Sequence, residues 1–225
     1  MFFTYSQQEL DYLKSKDKTL GKIIEKIGLV QREVQPDLFS AVVFSIIGQQ
    51  ISTKAHLTIW QRFKQNLGTV DAFTINQQTC EQLQALGISY RKVSYIKDFA
   101  AKVVSGEFSV EKIQELEDKE AIEALITLKG IGVWTAEMIL LFCLQRKDIL
   151  SFDDLAIQRG LRMIYRHRKL TKEQFLRYKK RYSPYGSVAS LYIWAVAGGA
   201  IAELSDPAPK NKKATKGKTD AKKAK

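Results

Sequence analysis

The chain has 225 residues, 45% of them hydrophobic, and its 36 basic against 24 acidic side chains leave a net charge of +12. That length can bury a sizeable core as one domain or two small lobes, and the apolar content is ordinary for a globular protein. No run of 18 apolar residues occurs, and Met1-Phe-Phe-Thr-Tyr-Ser6 has neither a basic n-region nor an apolar h-region, so neither a membrane span nor a signal peptide is expected and a cytoplasmic location is.

In chain order the sequence reads as helices almost throughout. Ser6-Gln-Gln-Glu9 is a capping box that opens the first. Pro36, in a first helical turn, begins a strongly apolar helix over Leu38–Gln50, with Leu38, Ala41, Val42, Ser45 and Ile46 on one face. Thr53–Asn66 continues the helical pattern, and Trp60 within it reads as core. Ser89, Ser109 and Asp118 are candidate N-caps for helices over Tyr90–Val104, Val110–Glu117 and Lys119–Thr127. Further helices are expected over Ala136–Leu144, Leu155–Tyr165 and Ser187–Ala202, with a second capping box at Thr171-Lys-Glu-Gln174. Clean apolar/polar alternation with hairpin chemistry is missing, so the fold class is all-α. Residues 1–204 read as one helical domain. Residues 205–225 carry eight lysines against two aspartates, a net +6 that leaves +6 on the rest, and read as a disordered Lys-rich tail. A moderately basic body suits a phosphate-binding face. Cys80 and Cys143 read as buried thiols of a reducing compartment, and His56 and His167 are too few and too far apart for a metal site.

The most informative stretch is Leu125-Ile-Thr-Leu-Lys-Gly130-Ile-Gly132-Val-Trp-Thr-Ala136. Two glycines one residue apart interrupt an apolar helical pattern, so they read as a tight turn between two packed helices. The second helix then begins with unpaired N–H groups, a ready place for a phosphate. A G-x-G alone is equally compatible with an ordinary helix connection.

Taken with Phe152-Asp-Asp-Leu-Ala-Ile157, Ile47-Gly-Gln-Gln-Ile-Ser52 and Pro184-Tyr-Gly-Ser187…Tyr192-Ile-Trp194, the stretch resembles the helix-hairpin-helix (HhH-GPD) DNA glycosylases, in particular the bacterial 3-methyladenine DNA glycosylase II branch. The resemblance runs from about Pro36 to Gly199 and implies a two-lobed helical fold with its cleft between the lobes. It also implies a reduced form without the N-terminal β domain of some relatives, and a monomer that acts on double-stranded DNA containing alkylated bases.

Cleaving an N-glycosidic bond builds cationic character on the sugar, and a nearby carboxylate stabilises it. The family's D-x-x-I pattern fits Asp154-Leu-Ala-Ile157 alone, making Asp154 the catalytic candidate and Asp153 a helix N-cap or supporting group. Both acids serving only as caps is the bland alternative. A base inside the stack must first be everted, and Gln50 stands at the family's wedge position. Trp134 and Trp194 match pocket-lining positions, with Tyr192 a looser candidate and Met138 where some relatives are aromatic. Lys129, Gly130, Ile131, Gly132 and Thr135 are the expected DNA contacts of the hairpin. The carbonyls of Ile126, Leu128 and Ile131 are the implied ligands of a structural Na+ or K+. No cofactor is otherwise expected, and two cysteines cannot hold the iron–sulfur cluster of some relatives. Trp134 stands where strand-cleaving members have a lysine, so no Schiff base is expected. A glycosylase for oxidised or mismatched bases and a non-catalytic DNA-gripping module remain the alternatives.

Overall fold

The computed structural model describes residues 1–209. Thirteen helices make up the described chain: α1 (Gln7–Lys16), α2 (Lys18–Ile27), α3 (Leu38–Gly48), α4 (Thr53–Leu67), α5 (Ala72–Gln77), α6 (Cys80–Ala85), α7 (Tyr90–Val104), α8 (Val110–Glu115), α9 (Asp118–Leu125), α10 (Val133–Phe142), α11 (Leu155–Tyr165), α12 (Lys172–Tyr182) and α13 (Gly186–Ala197). The fold is all-α, and the only extended pairing among the described residues is an isolated bridge between Phe2 and Glu33. None of these helices is long and apolar enough to cross a membrane.

Caps explain most of the boundaries. Both capping boxes form, and Ser89 and Ser109 cap α7 and α8 by accepting the Lys92 and Lys112 N–H groups. Asp37 rather than Pro36 caps α3, taking the Ser40 N–H at 2.7 Å, so the proline lies just outside the helix. Glu117 rather than Asp118 caps α9. Helix α3 stops at Gly48 because Gln49 leaves the helical region (φ −59°, ψ 130°), and Gln50 follows with a positive φ of 59°. Helix α13 ends at Ala197, earlier than its apolar pattern, where Gly198 caps it and Gly199 turns to φ +93°. The short α5 and α6 carry too little periodicity to be read from sequence; α2, strongly amphipathic with Leu20, Ile23 and Ile24 buried, is not among the expected helices and is fixed by Asp17, whose carboxylate takes the Thr19 and Leu20 N–H groups.

Two groups of helices share one core. Helices α1, α2, α11, α12 and α13 pack together, and α3–α10 form the second group through the α3/α4, α3/α7, α5/α7, α9/α10 and α3/α10 pairings. The most extensive pairing is α11 with α13. Gly160 permits it, since a Cβ there would collide with the Ile193 carbonyl oxygen. This contact sets the N-terminus of α11 beside the middle of α13, facing α10 of the other group. Trp60 is buried edge-on against Phe44, as expected. Cys143 is buried, and burial pushes its thiol up to about 12, whereas Cys80 is exposed, against expectation: it opens α6 on the surface. Asp206 pairs with Arg162 of α11 at 2.5 and 2.9 Å, so the beginning of the stretch assigned to the tail is fastened to the helical body. The expectation of disorder over 210–225 falls outside the described residues.

Candidate active site and nucleic-acid interface

Asp154 is the N-cap of α11, with its Oδ1 accepting the Ile157 N–H at 2.8 Å. The same oxygen accepts the Trp194 indole Nε1–H at 3.1 Å, and Oδ2 accepts that of Trp134 at 2.9 Å. The residue is only 7% exposed. A buried carboxylate must be satisfied by donors, and here three N–H groups from α10, α11 and α13 converge on it. Asp153, expected as the cap, is exposed and caps nothing; the D-x-x-I register places the capping oxygen three residues before Ile157, at Asp154.

Around this carboxylate Trp134 is 44% exposed, and Val133 and Leu155 beside it are exposed as well. Trp194 is half-buried and stacks on Phe142, with ring centroids 5.5 Å apart, so one of its faces is covered. Met138, one turn beyond Trp134, is half-buried. Tyr192 does not belong to the group. It is fully buried, and its hydroxyl donates to the Gly28 carbonyl at 2.9 Å and lies 3.4 Å from the Tyr5 hydroxyl. Two residues along a helix differ by about 200°, so a helix that turns Trp194 toward Asp154 turns Tyr192 away. No local pattern singles out Glu137, yet burial pushes its carboxyl above the ordinary value, which Asp153 and Asp154 reinforce and Lys179 opposes.

The two-glycine turn forms as read, with unequal roles for its glycines. Gly130 adopts φ +83°, and a Cβ there would lie 2.5 Å from the Tyr95 ring. Gly132 is extended (φ −99°, ψ 173°) and is the N-cap of α10; a Cβ there would meet nothing within 4 Å. The first intrahelical bond runs from Ala136 N–H to the Gly132 carbonyl at 2.9 Å, which leaves the N–H groups of Val133, Trp134 and Thr135 without a helical acceptor. Thr135 and Ile131 are both buried, so neither side chain stands at the surface as a contact. Lys129 is exposed, but its ammonium is paired with Asp98 at 2.6 Å rather than standing free. The implied cation ligands fit an oxygen-seeking ion. Among the described residues no backbone N–H donates to the Ile126 or Ile131 carbonyl, and the Leu128 carbonyl accepts only from Ile131 N–H, at 3.1 Å.

Gln50 stands exposed at the end of α3 with φ +59°, an uncommon conformation for a residue with a Cβ. The loop that carries it touches the hairpin, because Gln49 Nε2 donates to the Gly130 carbonyl at 2.6 Å. The structure therefore joins the Gln50 loop to the glycine turn, and sets Trp134 and Trp194 on Asp154, with Met138 one turn along α10 from Trp134.

An all-helical fold with a two-glycine helical hairpin, leading directly into a helix whose tryptophan holds a buried carboxylate, defines a helix-hairpin-helix protein. The HhH-GPD superfamily base excision DNA repair protein model matches residues 43–184, and the chain belongs to that family. DNA-3-methyladenine glycosylase 1 of Schizosaccharomyces pombe is 30% identical over 209 residues, covering 91% of each chain. The crystal structure of a DNA-3-methyladenine glycosidase from Bacillus halodurans is similar, with a TM-score of 0.78, 35% identity and coverage of 88% of this chain and 93% of that one. A 3-methyladenine DNA glycosylase from S. pombe in complex with abasic DNA superposes with a TM-score of 0.75 at 28% identity, covering 85% of this chain and 97% of the other.

Proposed function

We propose that the protein is a monofunctional DNA glycosylase that excises cationic alkylated purines, the 3-methyladenine and 7-methylguanine class, from duplex DNA. The observation that carries this reading is the Asp154 carboxylate, held by three N–H donors beside a half-exposed indole. Capping α11 would occupy only one donor, and the two further indole donors on the same carboxylate favour a catalytic role over a module that only grips DNA. The names of the similar glycosylases point the same way.

In this reading the N–H groups that open α10 hold a phosphate of the backbone, which positions DNA without reading its sequence. A monovalent cation, when bound by the carbonyls of Ile126, Leu128 and Ile131, would supply positive charge facing that phosphate. Gln50 fills the gap left by the everted nucleotide. The expelled base lies against Trp134, whose electron-rich face attracts a cationic purine, with Trp194 and Met138 completing the wall. Asp154 faces the sugar, so its charge stabilises the oxocarbenium-like centre at C1′ as the C1′–N bond breaks. The bond's electron pair leaves with the base, which departs neutral because it was cationic, and no general acid is needed. Water adds at C1′ and loses a proton, leaving an abasic site. Position 134 holds an indole, not an amine, so no Schiff base forms there and the strand stays intact. Neither an iron–sulfur cluster nor another cofactor enters this scheme, and one protomer supplies every group it uses.

The test is single-turnover incubation with methylated duplex DNA, with chromatography of the freed bases and denaturing electrophoresis of the strand. Free alkylpurine with an alkali-labile but unbroken strand supports the proposal. Spontaneous strand cleavage by the protein, or a covalent adduct trapped by borohydride, refutes its monofunctional part.

A further inference from the structure

The wedge loop and the hairpin turn are some 80 residues apart in sequence, and one helix holds both. Side chains three or four apart lie on one face of a helix, and α7 presents Lys92, Tyr95 and Asp98 in that spacing. Lys92 Nζ donates to the Ile47 carbonyl at 2.8 Å and to the Gln49 carbonyl at 2.7 Å. These are among the last carbonyls of α3, which have no helical donor and carry the negative end of its dipole. The ammonium is half-buried there, and burial lowers its pKa. Tyr95 packs under Gly130, where no Cβ would fit, and its hydroxyl accepts from Arg91 Nε at 2.5 Å. Asp98 pairs with Lys129 of the turn at 2.6 Å. Gln49 Nε2 then closes the circuit onto the Gly130 carbonyl at 2.6 Å.

We propose that Lys92 is a positioning residue for base eversion. It fixes the end of α3 so that Gln50 is held in its left-handed conformation, in register with the hairpin's grip on the phosphate. The proposal rests on the glycosylase reading of Gln50 and the hairpin. A wedge is useful only where it already points into the stack, because ordering it during binding would cost conformational entropy. Gln50 has no glycine to relax its positive φ, so a neighbour must hold it, and the two carbonyls that Lys92 ties bracket the residues leading into it. Without the ammonium, the Gln49 carbonyl and the backbone beside Gln50 would be free to turn.

The experiment reads eversion apart from chemistry. A duplex with 2-aminopurine next to an abasic-site analogue reports unstacking by fluorescence when protein binds, and needs no bond cleavage. Lys92→Met is expected to lower the fluorescence gain at saturating protein by several-fold. It should also slow single-turnover release from methylated DNA by about tenfold, the order reached when a charged hydrogen-bonding group is lost. Affinity for undamaged duplex should stay within about twofold. Lys92→Arg, which keeps two donors and the charge, should restore most of the signal. The double variant Lys92→Met/Gln50→Ala should be no worse than Gln50→Ala alone, because both remove the same function. Gln49→Met, at a solvent-accessible position, repeats the test by cutting the second tie should Lys92→Met fold poorly. Multiplying effects of Lys92→Met and Gln50→Ala, or an unchanged fluorescence gain in both Lys92→Met and Gln49→Met, would overturn the proposal. If the wild type everts the base but releases none, the glycosylase reading fails while the positioning role stands.

Discussion

Asp154→Asn isolates the charge of the central carboxylate, and the structure shows what else it changes. Asparagine is about as good an N-cap as aspartate, so its amide oxygen can keep the Ile157 N–H and the Trp194 indole, both of which now meet Oδ1. The amide nitrogen then falls at Oδ2, facing the Trp134 Nε1–H across a site built for an acceptor. One hydrogen bond is lost to a donor–donor clash, and the half-exposed Trp134 ring can relieve it by turning outward. Stability should drop by only about 1 kcal/mol. Catalysis should lose far more, because charge aimed at a developing cation in a dry site contributes about 3 kcal/mol or more, a rate factor of at least about 10². DNA affinity should be equal or higher, since a negative charge near phosphates has gone. Single-turnover release of alkylpurines from methylated duplex, with Kd for undamaged duplex at matched salt, measures both effects. Asp153→Asn is the control, since that side chain is exposed and uncommitted, and it should release bases within a few-fold of wild type. Near-normal release by Asp154→Asn together with loss in Asp153→Asn would refute the reasoning.

Three further outcomes follow from the geometry. Gly132→Val should fold, costing under about 1 kcal/mol at the cap, because Gly132 is extended and its missing Cβ points into open space. It should nevertheless weaken binding to every duplex sequence by about tenfold by blocking backbone approach, and wild-type affinity at matched salt would reduce the hairpin to a connector. Trp134→Phe keeps an aromatic face and deletes the N–H to Asp154, whereas Trp134→Ala deletes both. With stacking on a cation contributing about 1–2 kcal/mol, 7-methylguanine release should fall about tenfold further in the alanine variant, and equal losses would contradict the stacking role. The buried Asp17 carboxylate takes the Arg181 guanidinium at 2.6 Å and the Tyr165 hydroxyl at 2.8 Å. Burial pushes its pKa up, but the Leu20 N–H, Arg181 and Tyr165 outweigh that and hold it below the ordinary 3.8. Its contribution to stability is therefore full above that value and lost as pH falls through the lower, folded one. Asp17→Asn should cost about 1–3 kcal/mol at pH 7, allowing for the partly exposed guanidinium. The difference in Tm between the two proteins should shrink on acidification below pH 3.8.

The parts of the fold legible in the sequence are those with local causes. Capping boxes at Ser6 and Thr171, serine caps at Ser89 and Ser109, and the glycine turn at 130–132 are decided by residues within a few positions of one another, and they form where read. Tyr192 shows where that reasoning fails. Helix α13 is apolar all round, so its periodicity does not say which side faces the cleft, although the angle between positions 192 and 194 already forbids both from doing so. The D-x-x-I register singles out Asp154 as the catalytic candidate, but it does not say which of the two neighbouring acids caps α11, because one carboxylate can serve both duties. Asp154 does the capping itself, and its two indole donors come from helices 20 and 40 residues away in sequence. The ties of Lys92, Gln49 and Tyr95 around the Gln50 loop and the glycine turn are long-range in the same sense, and no local pattern announces them.

The central claim, that Asp154 and an indole-lined pocket act on bases already primed to leave, is tested most directly by comparing two purines of similar size and different charge. Duplexes carrying one 7-methylguanine or one 8-oxoguanine at the same position should be incubated with excess protein, and the freed base measured over time. Departure neutralises the cationic base but would create an anion from the neutral one, and only the former gains from the faces of Trp134 and Trp194. The account predicts that release of 7-methylguanine exceeds that of 8-oxoguanine by at least about 10², a barrier difference of roughly 3 kcal/mol. Equal or faster release of 8-oxoguanine would contradict it.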